Sequence, residues 1–229
     1  MDSTRIVTFA NQKGGVGKTT LCVAFANYLV AAGMRVLVVD CDAQQSVAKN
    51  REHELTKYNP SDVPYEIRTI TLGKTEPLKD LIRDISKEEN VDVAIFDAPG
   101  AFEHNGLPII LACSDVIVVP YHYDQSTMIT TTIFIGRIRA LSDMMKGQMK
   151  AQLFFVPNRQ NLRVGTKEEK EFWEKKAEDY RQFGTVTPMI TDRVDMQRVS
   201  TLADMDRQKK IVQPSFDIIF NSLYQDGDT

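Results

Sequence analysis

The densest chemistry lies close to the start of the chain, in Gln12-Lys13-Gly14-Gly15-Val16-Gly17-Lys18-Thr19-Thr20. A polyphosphate needs several backbone N–H groups converging on it, which requires residues without a Cβ in unusual backbone conformations. It also needs a helix N-terminus behind the loop, a lysine for the outer phosphate charge and a hydroxyl for magnesium. Here Gly14, Gly15, Val16 and Gly17 supply the cradle, Lys13 and Lys18 the cations, and Thr19 the hydroxyl, with Thr20 next to it. The plain alternative is a glycine-rich turn with incidental lysines, but a strand leads into this segment and a helix leaves it. Gln12 stands where the G-x-x-x-x-G-K-[ST] pattern has its first glycine, and a second lysine, Lys13, follows at the mouth of the loop.

Carboxylates fall at the ends of apolar runs. Asp40 and Asp42 close VLVVDCDAQQ, and Asp97 closes VAIFD. A charge there is costly unless a cation faces it, and a phosphate-bound magnesium ion is such a cation. Asp97 is therefore read as a magnesium residue acting through water, against a capping role. Asp42 is read as the residue that orients an attacking water beside the metal, against a turn-forming aspartate. Asp40 is divided between a structural partner for a loop lysine and a catalytic part.

These groups need strands that end together. Candidate strands are 5–10, 35–40, 65–70, 91–97, 115–120, 152–156 and 185–190, several of them apolar at consecutive positions, as in Val36-Leu37-Val38-Val39. Such runs fit a parallel sheet covered on both faces. Helices alternate with them: one over 19–32 stopping at Gly33, and one from Thr166, where Glu169 completes a capping box and Trp173, Ala177 and Tyr180 share a face. A long helix over 126–146 is expected to turn Ile129, Ile133, Ile138, Leu141 and Met145 inward, and a last helix is expected from Pro214. The segment 59–64 reads as a surface loop. The whole is a mostly parallel, doubly wound α/β sheet in one domain over residues 1–229, with ligands beyond the carboxyl ends of the strands. The 229 residues carry a formal net charge of −3, which argues against a uniformly basic nucleic-acid binder. The three cysteines, Cys22, Cys41 and Cys113, have no framework or metal spacing, and no leader or membrane-spanning run is apparent, so a soluble cytoplasmic protein is expected.

The blocks KGGVGKTT, VLVVDCDAQQS and IFDAPG, with the strand ending at Pro120, make the chain resemble the ParA/MinD group of deviant-Walker ATPases, most of all the small plasmid-partition ParA proteins. The resemblance implies ATP and Mg²⁺ as cofactors and a homodimer in the ATP state, in which Lys13 reaches the nucleotide of the second subunit. It gives Lys18 and Thr19 to the phosphates and metal, and Asp42 to the water. Asn158 falls at an adenine contact, with Pro188 and Met189 near that base. Ala43 replaces the family's usual proline, and Ala98 and Gly100 alter the segment after Asp97. The first strand begins at about residue 5, so an operator-reading helix-turn-helix domain is not expected here.

Partition ATPases of this type bind DNA non-specifically, and Arg193, Arg198, Arg207, Lys209 and Lys210 form a modest basic cluster here, with a solvated face as the bland alternative. The implied partners are DNA and a small centromere-binding protein that stimulates hydrolysis. A MinD-like regulator needs a basic amphipathic tail for the membrane. The last helix has no lysine or arginine after Lys210, so no membrane partner is expected. MinD-like positioning of another cargo is the alternative within the group. An iron–sulfur electron-transfer ATPase lacks the cysteine pair it would need, and a metabolic ligase would need an acceptor pocket that the sequence does not reveal.

Overall fold

A computed structural model describes residues 3–72, 75–100, 106–161, 164–202 and 205–224, without the side chains of 75–77. The strands are β1 (Arg5–Phe9), β2 (Val36–Asp40), β3 (Glu66–Thr69), β4 (Val93–Asp97), β5 (Val116–Tyr121), β6 (Gln152–Pro157) and β7 (Thr185–Val186). They pair in parallel in the order β3-β2-β4-β1-β5-β6-β7, so the strand that feeds the glycine-rich loop lies at the centre.

The consecutive apolar residues serve both faces of this sheet by the two-residue alternation of a strand. Val7, Phe9, Val36, Val38, Val93, Ile95, Val116, Val118, Phe154 and Val156 pack with helices α1 (Lys18–Ala31) and α7 (Lys209–Ser222). Their neighbours Ile6, Leu37, Val39, Ala94 and Phe96 meet α3 (Thr75–Ile85) and α4 (Leu107–Cys113) on the other face. Ile117, Val119 and Phe155 meet α5 (Gln125–Met144) and α6 (Lys167–Arg181) there. The fold class is as the sequence implied.

Several elements differ in detail. In α5 the inner face is Met128, Thr131, Phe134, Ile135 and Ile138, while Ile129 and Ile133 are 54% and 50% exposed and Leu141 and Met145 half-buried. Two threonines, Thr127 and Thr131, occupy the buried stripe, which displaces the apolar pattern from the packing face. The last helix starts at Lys209, so Pro214 lies inside it, and Phe216, Ile219 and Leu223 are buried. β7 pairs over two residues only. Pro188 has no N–H for a ladder, and contact resumes as a single bridge between Gln160 and Thr191. The Gly33 stop (φ +83°) and the Thr166–Glu169 capping box are present.

One helix left no apolar signature in the sequence. α2 (Ser46–Tyr58) buries only Val47 and Arg51. The Arg51 guanidinium donates to Thr201 Oγ1 (2.8 Å), the Thr201 carbonyl (2.6 Å) and the Tyr65 carbonyl (2.8 Å), and stacks on the Tyr65 ring at 4.6 Å. Glu54 accepts from the Thr201 backbone at 2.8 Å. These bonds tie the segment that follows β2 to the turn that leads towards α7.

Candidate functional site

Because the strands are parallel, their carboxyl ends converge. Asp97 of β4 lies in register with Phe9 of β1 on one side and Asp40 of β2 on the other. Beyond Phe9 the chain enters the glycine-rich loop, where Gly15 (φ +79°) and Gly17 (φ +94°) take the left-handed conformation that other residues avoid. Gly17 is also the N-cap of α1, which has no side-chain cap and no acidic residue in its first turn. The first N–H groups of α1 are therefore not satisfied by side chains, and they combine with the helix dipole into an anion site.

Asn11 anchors this loop. Its buried amide donates to the Pro120 carbonyl (2.7 Å) and Thr131 Oγ1 (3.0 Å), while its Oδ1 accepts from the Lys13 backbone N–H (3.1 Å). The loop is thus held to β5 and α5. The two lysines part company: Lys13 Nζ donates to Ser126 Oγ (3.0 Å) at the exposed start of α5, whereas Lys18 turns in beside Asp97 and Asp42. Burial lowers the Lys18 pKa against the attraction of those carboxylates.

The Thr19 hydroxyl donates to Asp97 Oδ2 at 2.7 Å. Asp97 is 1% exposed, and its pKa is pushed up to about 7, chiefly by burial and further by Asp40 and Asp42. Its Oδ1 is buried without a hydrogen-bond partner among the described residues, as are Gln12 Oε1 and His122 Nε2. All three belong to this end of the sheet. A hydroxyl, a desolvated carboxylate with a vacant lone pair and an adjacent anion cradle fit a magnesium ion bound with phosphate. Among the described residues no group of three His, Cys, Asp or Glu could hold a metal alone, as suits an ion that keeps several waters.

Asp40, left divided by the sequence between a lysine partner and a catalytic part, is held by backbone donors. Its carboxylate accepts from the backbone N–H of Asp42 (3.2 Å), Val47 (2.9 Å) and Ala48 (3.2 Å), and so fixes the start of α2 and the turn bearing Asp42. The first turn of α2 offers N–H groups without an intrahelical partner, and the Asp40 carboxylate meets two of them. Asp42 is half-buried and accepts from the Gln44 backbone N–H (2.8 Å), leaving acceptor capacity towards the loop.

This constellation coincides with a family match. Residues 7–222 match the model described as the CobQ/CobB/MinD/ParA nucleotide binding domain. The chain belongs to this family. Among curated relatives, it is similar to the chromosome-partitioning ATPase Soj of Thermus thermophilus, 30% identical over 133 residues that cover 50% of this chain and 53% of Soj. It is also similar to the maintenance of carboxysome distribution protein A of Gloeobacter kilaueensis, 32% identical over 51% of this chain and 48% of that protein. The chain thus spans about half the length of these curated relatives. A crystal structure of a plasmid partition protein from Borrelia burgdorferi shares the fold, with a TM-score of 0.69 at 16% identity over 95% of this chain and 98% of that one.

Asn158, Pro188 and Met189 of this family member lie beyond the carboxyl ends of β5 and β6. Asn158 follows β6, its backbone N–H bonded to the Tyr121 carbonyl (2.8 Å), and its amide donates to the Val16 carbonyl of the loop (2.8 Å). Pro188 and Met189 are exposed and line a cleft of about 420 Å³ with Tyr123, Gln160 and Trp173, whose ring stacks on Tyr123 at 5.6 Å. Sequence reasoning gave no sign of Asn11 or of the Trp173 wall, since both act through contacts distant in the chain. Arg193, Arg198, Arg207, Lys209 and Lys210 are all exposed. Of these, Arg198 and Arg207 face one small hollow of about 180 Å³ that also contains Asp195. Cys22 and Cys41 are buried and Cys113 is exposed. No helix among the described residues is long and apolar enough to cross a membrane.

Proposed function

We propose that this chain is an ATPase that drives DNA segregation through an ATP-sandwiched homodimer. The observation that carries this reading is the separation of the two loop lysines: Lys18 is turned inward with Asp97 and Asp42, while the Lys13 ammonium lies on the outer rim at Ser126. A cation on the rim is placed to meet a phosphate presented by a second protomer. Phosphoryl transfer is catalysed mainly by positioning and charge stabilisation. A lysine supplied in trans then makes hydrolysis depend on association.

In this mechanism the backbone N–H groups of 14–19 hold the phosphates and Lys18 neutralises their outer charge. Thr19 and Asp97 would hold Mg²⁺, with Asp42 at its water shell, and the ion would supply charge neutralisation at the phosphates. Asp42 orients the attacking water, and Lys13 of the second protomer stabilises the charge that develops. The base lies towards Pro188 and Met189. Arg193, Arg198, Arg207, Lys209 and Lys210 contact DNA phosphates, and dimerisation doubles their number, which matters because such contacts act together. A small centromere-binding protein stimulates hydrolysis and releases the complex, and intrinsic turnover is slow.

Duplex DNA retention with Mg·AMPPNP and with Mg·ADP tests the reading. Retention is expected only with the triphosphate analogue, and should fall steeply between about 50 and 200 mM salt. Equal retention in the two states would remove DNA from the function.

A further inference from the structure

We infer that Asn158 and Arg159 are positioning residues that brace the phosphate loop from behind and turn its N–H groups towards the anion. Three observations converge on this pair. The Asn158 amide donates to the Val16 carbonyl at 2.8 Å, and Arg159 Nη1 donates to the Gly15 carbonyl at 3.2 Å. Consecutive side chains thus pin consecutive loop peptides. Arg159 has a φ of +52°, a left-handed conformation uncommon for a residue with a side chain. A Cβ built on Gly17 would lie 2.3 Å from Asn158 Nδ2, so the loop and the asparagine are fitted to each other.

The consequence follows from peptide geometry. In a trans peptide the C=O and the next N–H point in opposite directions. Holding the Gly15 and Val16 carbonyls outward therefore aims the N–H groups of Val16 and Gly17 to the other side, where a phosphate would lie. Without the braces these peptides lose two of the contacts that orient them, and a phosphate must supply more of that order on binding, which weakens it. Preorganised donors are the more effective ones. The Asn158 orientation is fixed by chemistry, since a carbonyl can only accept and the amide nitrogen must be the atom that faces it.

This inference rests on the nucleotide reading above but gives Asn158 a different task from contact with the base. The test measures dissociation constants of Mg·ATP and of inorganic tripolyphosphate for the wild type, Asn158→Ala, Arg159→Ala and Arg159→Gly. Bracing predicts that each variant weakens both ligands by the same factor, about five- to tenfold for each lost bond. Arg159→Gly should bind as poorly as Arg159→Ala although it relieves the left-handed backbone. Arg159 is exposed, so its variants leave the packing intact. A purely structural role would lower the melting temperature and leave both dissociation constants in place, and that result overturns the inference. So does an Asn158→Ala protein that loses ATP affinity but keeps that for tripolyphosphate, since the contact is then to the base. A wild type that binds neither ligand overturns the nucleotide reading itself, whereas variants that bind both like the wild type overturn the bracing alone.

Discussion

Replacing Asp97 by asparagine should make the nucleotide-free protein progressively more stable relative to the wild type as the pH rises. Asp97 is almost wholly buried beside Asp40, and its pKa stands at about 7 against an ordinary 3.8. The folded chain therefore holds this proton more tightly than the unfolded chain. Ionisation begins to cost stability once the pH passes the unfolded value, and the cost levels off above the folded value. At ~1.36 kcal/mol per tenfold in proton affinity, the full penalty is about 4 kcal/mol, of which about 1.5 has accrued by pH 5. The substituted amide never ionises, and its carbonyl can still accept from Thr19. Any fixed cost of burying its NH₂ group is the same at every pH, as are, to first order, the contributions of other titrating groups. In urea unfolding with EDTA and no nucleotide, the stability of Asp97→Asn relative to the wild type should thus rise by about 3 kcal/mol between pH 5 and pH 8. A difference that stays flat over that range would show that Asp97 is ordinarily ionised in the folded chain, and would refute the argument that this carboxylate awaits a cation.

Three other outcomes follow from the same structure. Arg51→Met removes three buried hydrogen bonds and should lower the unfolding free energy by about 3 kcal/mol in urea titrations, while a loss under about 1 kcal/mol would mean that α2 is held by other contacts. Gly17→Ala should abolish Mg·ATP binding in calorimetry, since the new Cβ meets both a φ of +94° and the Asn158 amide. Asp42→Ala should slow hydrolysis at least about a hundredfold while leaving the dimer formed with Mg·ATP intact on DNA, and normal turnover would remove Asp42 from the water-orienting role.

The conformation of the glycine-rich loop was legible because a strand–glycine–lysine–helix order writes backbone geometry directly into residue types. The sheet was legible for a similar reason: Val36 to Val39 are apolar without a break, which only a strand covered on both faces requires. α2 was not, because a helix that buries only Val47 and Arg51 and exposes Lys49, Glu52 and Lys57 leaves no apolar stripe to count. Of the α5 residues expected inward, Ile138 is buried but Ile129 and Ile133 were misread, because Thr131 goes inward to meet Asn11 and a hydroxyl that satisfies a buried amide looks polar in the sequence. The backbone partners of Asp40 were not legible because they are N–H groups of the following turn and helix, and peptide donors are invisible in a string of side chains. The braces on the loop come from residues 142 and 144 positions away from their carbonyl partners, a pairing that only the fold creates.

The central claim is that Lys13 couples self-association to the triphosphate, and sedimentation velocity in saturating Mg·AMPPNP tests it most directly. The wild type should sediment as a dimer with the analogue and as a monomer with Mg·ADP, and Lys13→Ala should remain a monomer in both while still binding nucleotide. A Lys13→Ala protein that dimerises like the wild type, or a wild type that stays monomeric with the analogue, would contradict the account.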